Sequence, residues 1–173
     1  MNYWLDAEPE DILEEVILAR QLAGEDLDET SAAVRRMVVA DIVSAQKDIR
    51  RTCSEADGQI RVFRSIKVLP SEVDDFETRG LGTCWAFTRA GAHAYEGRST
   101  GTEVIMEARV GTDDVMWPMV IGMWSSGEGE ARLDRRAIVV LDSVSAADGT
   151  PLRSELWGAE LSLDSPEVGV AKP

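Results

Sequence analysis

Histidine and cysteine are nearly absent from this 173-residue chain: His93 is the single imidazole, and Cys53 and Cys84 are the two thiols. That leaves no His/Cys cluster for zinc, no disulfide framework, and no Ser–His or Cys–His triad beyond what one imidazole could serve. No run of about 18 apolar residues is available to span a bilayer. The start, "MNYWLDAEPED", lacks the basic opening and apolar centre of a secretory signal. These absences predict a soluble, cytoplasmic chain with no membrane partner. Bases are also scarce, with 18 Lys and Arg against 32 Asp and Glu for a net charge of −14. Residues 1–30 hold ten of the acids and one base. Such a surface repels nucleic-acid phosphates, so no direct DNA or RNA binding is expected, and basic proteins are the natural partners.

What is present reads as one domain, or one domain with a helical appendage, without internal repeats. In "EPEDILEEVILARQLAG" the apolar residues Ile12, Leu13, Val16, Ile17 and Leu22 keep helical spacing, with Pro9 near the start and Gly24 as a stop. A second helix is predicted in "DETSAAVRRMVVADIVSAQKDIRR", on Val34, Met37, Val38, Ile42, Ala45 and Ile49, capped by Asp28, Thr30 or Ser31. The pattern then changes to alternation in "IRVFRSIKV", Ile60 to Val68, with a boundary near Asp57–Gln59. Further strands are predicted over Thr102–Val110, Val115–Trp124 and Glu130–Val144, the second an edge or bulged strand because of Pro118. Residues 145–173 read as loops with one strand, "AELSL". The expected fold class is α+β: an acidic helical hairpin over residues 1–57, then a mostly antiparallel sheet over residues 58–173.

Alternation in the first strand puts Ile60, Val62, Arg64, Ile66 and Val68 on one face, so Arg64 stands in an apolar row. A guanidinium there needs an internal carboxylate, a strand end or an anionic ligand. In "GEGEARLDRRAIVVL" Glu128 and Glu130 flank Gly129 at a strand mouth. The pair is either a solvated turn or two like charges close enough to raise one pKa, which suits a general base. "GTCWAFTRAGAHAY" places Trp85 and Phe87 as core before a helix starting near Thr88, with Ala90, Ala94 and Tyr95 on helical spacing. Cys84 is a candidate nucleophile without an obvious base, or a small buried hydrophobe, and His93 reads as an ordinary helix residue.

In order, "VFRSI", "LGTCWAFTRAGAHAY", "GTEVIMEARV" and "GEGEARLDRRAIVVLDSV" resemble the mono-ADP-ribosyltransferases of the arginine-serine-glutamate class, and in particular small bacterial and phage-encoded members. The resemblance covers about residues 60–144. It implies a split-sheet, NAD-binding fold that transfers ADP-ribose from NAD to a protein acceptor, basic or arginine-presenting. On that basis Arg64 contacts the NAD phosphates, Glu130 stabilises the oxocarbenium-like state, Glu128 orients and deprotonates the acceptor guanidinium, and Trp124 meets the protein substrate. Ser65 stands where the family often has glycine, and a backbone contact to nicotinamide survives that change. Cys84 and Ala86 occupy the positions of the family's Ser-x-Ser motif, beside Trp85, and Thr83 either substitutes for the missing hydroxyls or the site is weakened. A catalytically degraded member would instead act as an acidic inhibitor or DNA mimic of a basic protein. NAD hydrolysis without an acceptor would need Arg64 and Glu130 but not Glu128.

Overall fold

The computed structural model describes residues 2–94, 101–124 and 129–163. Three helices come first: α1 (Tyr3–Asp6), α2 (Leu13–Leu22) and α3 (Ala32–Thr52). Ser31 caps α3, its hydroxyl accepting from the backbone N–H of Val34. Val38, Ile42, Ala45 and Ile49 form the buried stripe of α3. Two residues of the expected apolar sets face solvent instead. Met37 lies a third of a turn off the stripe, and Leu22 is the last residue of its helix.

Among the described residues the sheet contains seven strands, all paired antiparallel: β1 (Glu55–Ala56), β2 (Gln59–Val68), β3 (Cys84–Ala86), β4 (Thr102–Gly111), β5 (Glu130–Arg132), β6 (Ile138–Ala146) and β7 (Glu160–Ser162). Their spatial order is β5-β3-β2-β4-β6-β7, with β1 paired to β2. Asp57 and Gly58, at φ 54° and 72°, make the tight turn between β1 and β2. The expected α+β class and antiparallel sheet are both present, and β7 falls within "AELSL".

Two expected strands need correction. Residues Val115–Trp124 are not an edge strand: Trp117–Met123 is a helix, α5. Pro118 sits in its first turn, where a missing N–H costs nothing, and Trp117, Val120 and Ile121 at i, i+3 and i+4 supply the buried face. That face packs on α2 and α3, and Gly122 lets α5 approach until an added Cβ would stand 3.0 Å from Cγ of Arg20. The stretch Glu130–Val144 is not one strand either. The Asp134 carboxylate accepts from Arg136 N at 2.7 Å and its carbonyl from Ala137 N at 3.0 Å, closing a turn between β5 and β6. The two halves then part, β5 pairing with β3 at one edge and β6 with β4 on the other side of β2. A short helix, α4 (Arg89–Ala94), packs against β2 and β3, and Tyr95 lies outside the described residues.

One contiguous buried cluster joins the helical segment to the sheet, running from Leu5, Ile17 and Ile42 to Ile60, Met106 and Val139. Ile42 is fully buried, so Ile42→Ala should cost about 2–5 kcal/mol. In urea, tryptophan fluorescence and far-UV circular dichroism should report one coincident transition. Two separate transitions would mean that the helices fold independently of the sheet.

Candidate active site

The sheet splits between β2 and β3. β2 pairs with β4 along its whole length but with β3 at one position only, Phe63 opposite Ala86. Leu133 N donates to Thr83 O at 2.9 Å and Phe87 N to Gly129 O at 3.3 Å, so the odd-numbered residues of this strand bond toward β5. Cys84 and Ala86 therefore turn their backbone groups toward β2. Beyond the Phe63–Ala86 pair no backbone donor of β2 reaches the Cys84 carbonyl, and the guanidinium of Arg64 takes it through Nη1.

Arg64 stands where alternation puts it. Its partner on β4 is Met106, fully buried, and Val62 and Ile66 flank it on the same face. The buried Nε of Arg64 makes no hydrogen bond among the described residues. Burial pushes the guanidinium pKa down, and the nearby Cys84 and Glu130 groups push the other way. Gly82, at φ +65°, brings the backbone against this side chain: an added Cβ would lie 3.0 Å from Nη2 and 3.4 Å from Cζ. Trp85 holds that loop in place, its indole N–H donating to Gly82 O at 3.0 Å from a ring that is 1 % exposed. Trp85 is thus a buried brace that also contributes to the lining of the cleft.

Glu130 lies directly opposite Ala86, and Arg132 opposite Cys84. Register partners share a face, as do residues two apart, so Glu130, Arg132, Cys84 and Ala86 line one side of the β3–β5 ladder. Arg132 bridges this group. Its Nε pairs with Glu130 at 3.3 Å, and its Nη1 donates to Cys84 Sγ at 2.6 Å and to Thr83 Oγ1 at 3.3 Å. Burial pushes the Cys84 thiol up, the Glu130 carboxylate adds to this by accepting its hydrogen, and Arg132 and Arg64 oppose it. Cys84 is therefore held as a thiol at neutral pH, a poor nucleophile. Thr83 does reach the cluster, but as an acceptor for Arg132, while Ala86 puts no hydrogen-bonding group across from Glu130.

Between β2, β3 and α4 lies a cleft of about 180 Å³, walled by Phe63, Arg64 and Ser65 of β2, by Cys84, Trp85 and Ala86 of β3, and by Ala92 of α4. Ser65 turns its hydroxyl to Glu103 on β4, donating at 2.5 Å, and His93 Nδ1 meets the same carboxylate oxygen at 3.0 Å. Burial pushes Glu103 up, but the Ser65 hydrogen bond and His93 outweigh it, and the carboxyl is held below its ordinary value. His93 thereby ties α4 to the sheet. Trp124 is half-buried and leans on Phe87, with ring centroids 6.0 Å apart, beside Gly129 at the mouth of β5. Glu128 lies outside the described residues.

Alternation and motif order had marked Arg64, Ser65, Thr83, Cys84 and Glu130, which the fold brings together. Three contributors were missed. Arg132 could have been found as the i+2 neighbour of Glu130 on a strand, Gly82 as a glycine just before the Trp85 strand, but the meeting of His93 with Glu103 leaves no local signal. Among the described residues no group of three or more His, Cys, Asp and Glu side chains is disposed to hold a metal ion, and no helix is long and apolar enough to cross a membrane. Comparison with protein-family models, curated proteins and solved structures gave no match.

Replacing Gly82 with alanine should strain the positive φ and push on the guanidinium, destabilising the fold by about 1–3 kcal/mol in urea unfolding. The thiols give a second check. Burial and the Glu55 carboxylate push Cys53 up to about 12, and Cys84 is raised too. Iodoacetamide at pH 8 should alkylate both at least about tenfold more slowly in the folded chain than in urea. Rapid labelling of folded Cys84 would contradict the thiol assignment.

Proposed function

We propose that the chain binds NAD at the β2–β3 cleft and transfers its ADP-ribose to a protein side chain, arginine foremost, with the split sheet serving as an ADP-ribosyltransferase-like fold. The observation that carries this reading is Arg64 in the wall of the cleft, with Glu130 brought close beside it from a distant strand. Arg64 arrives with a buried, unpartnered Nε and Glu130 sits within electrostatic reach of it.

The residues present fit an anionic substrate. A phosphate oxygen would give the Arg64 guanidinium the charged partner its burial calls for. The cleft is smaller than the roughly 300–1,000 Å³ of a complete small-molecule pocket, so it takes one end of a dinucleotide. NAD would supply the ribosyl group and the nicotinamide leaving group. The chain supplies negative charge at Glu130 to stabilise positive charge developing on the ribose. Arg132 and the Cys84 thiol act as positioning residues that fix the Glu130 carboxylate, filling the role that the Ala86 methyl group cannot. Ser65 is committed to Glu103, so its contribution to the cleft is through the backbone. Glu128 would orient and deprotonate the acceptor guanidinium, and Trp124 would meet the acceptor protein, which is expected to be basic or arginine-presenting and cytoplasmic.

Transfer from labelled NAD to an arginine-containing acceptor tests the reading. Glu130→Gln keeps the shape and removes the charge, and should lower transfer by about 10²–10³-fold. Glu128→Ala should abolish transfer while NAD hydrolysis persists. A Glu130→Gln chain that transfers as the wild type does would sink the proposal.

A further inference from the structure

The segment 69–83, which joins β2 to β3, carries Gly82 to its contact with Arg64. Its regular structure is two 3-10 turns, Pro70–Glu72 and Phe76–Arg79. A connection of this length keeps one course only where side chains anchor it. Phe76 and Leu81 are buried in the core. Past Leu81, Gly82 N donates to Leu163 O at 3.3 Å. A further anchor comes from the loop between β6 and β7.

That loop presents Arg153. Its backbone is tied to β6 next door, where Leu152 N donates to Val144 O at 2.8 Å. Arg153 stands at φ 47° and ψ 46°, left-handed backbone that L side chains rarely adopt. Asp57, the other non-glycine residue with positive φ among those described, sits in a hairpin turn that calls for it. The backbone of Arg153 instead aims its side chain across to the β2–β3 segment. Nη1 and Nη2 meet the two carboxylate oxygens of Glu77 at 3.0 and 2.8 Å, a bidentate pair. Nη1 also bonds the Asp74 carbonyl, and Nε bonds the Glu155 carboxylate. The guanidinium carbon lies 5.8 Å from the centroid of the Phe76 ring. The Arg153 and Glu77 side chains are 13 % and 21 % exposed, so solvent and salt screen this pair less than an exposed one.

We propose that Arg153 is a positioning residue of the cleft: by clamping Asp74, Phe76 and Glu77 it fixes the segment that ends on Gly82, and so sets where the Arg64 guanidinium stands. The contacts run on without a gap. Gly80 N donates to Glu77 O at 3.3 Å, Leu81 is buried, and Gly82 O accepts the Trp85 indole N–H. Gly82 in turn lies against the Arg64 guanidinium, which bonds the Cys84 carbonyl two residues on. With the clamp released, Gly82 moves off the guanidinium and the Cys84 thiol loses cover. The consequence for NAD rests on the function proposed above for the cleft, and the consequence for the thiol does not.

Two variants of the full chain test the clamp. Arg153→Asn removes the guanidinium and keeps a residue at ease in left-handed backbone. Glu77→Ala breaks the pair from the other side and leaves that turn untouched. Alkylation with iodoacetamide at pH 8 then compares Cys84 with Cys53, which ends α3. Each variant should raise the ratio of Cys84 to Cys53 labelling about three- to tenfold, and the double variant no further than either alone. A substitution that merely destabilises the fold speeds both thiols together and leaves the ratio alone. An unchanged ratio in either variant would overturn the proposal. In calorimetric titration, NAD should bind each variant about three- to tenfold more weakly than the wild type, and equal affinity would also overturn it. A wild type that binds no NAD, with the thiol ratio raised in the variants, would contradict the function proposed for the cleft and still support the clamp.

Discussion

The site depends on one guanidinium placed where a sheet stops being continuous. Arg64 arises from the core face of β2, between Val62 and Ile66 and opposite Met106, a setting in which a charge is costly. It is tolerated because β3 leaves β2 after a single pair and presents the Cys84 carbonyl that a longer ladder would have used. Gly82 and Trp85 close the remaining space around it. The split and the arginine explain each other: a continuous ladder would leave no room for the side chain, and an apolar residue would leave the carbonyl unpaired.

Topology turns this local arrangement into a site. The turn at Asp134 sends β5 to the far side of β3 while β6 pairs with β4, so Glu130 stands one short strand away from β2, within electrostatic reach of Arg64. Arg132 then ties together Glu130, Cys84 and Thr83 on the outer face. On the other flank the Ser65–Glu103–His93 group holds α4 to the sheet, which keeps Ala92 in the wall of the cleft. The helices α2, α3 and α5 bury the opposite end of the structure in the same core.

Much of this was legible in the chain. Strict alternation in "IRVFRSIKV" is enough to put Arg64 in the apolar row, and the stripe in α3 needs only its 3.6-residue period. The stretch "VMWPMVIGMW" misleads because it is apolar at nearly every position, so both periods fit, and tertiary packing on α2 decides for a helix. The break inside "EARLDRRAIVVLDSV" is hidden because a single Asx turn makes it, flanked by residues that suit a strand. Arg132 becomes visible only once Cys84 is known to face it across the ladder, and the Arg153 clamp only once the loop after β6 is known to meet the segment between β2 and β3. Pairings between strands far apart in sequence are what a one-dimensional pattern does not carry.

The most direct measurement of the central claim is calorimetric titration of NAD into the wild type and into Arg64→Ala, with circular dichroism to show that both are folded. The account predicts saturable binding to the wild type, and binding at least about tenfold weaker once the charge-assisted contact is lost. A folded wild type that does not bind NAD, or an Arg64→Ala chain that binds equally well, would contradict it.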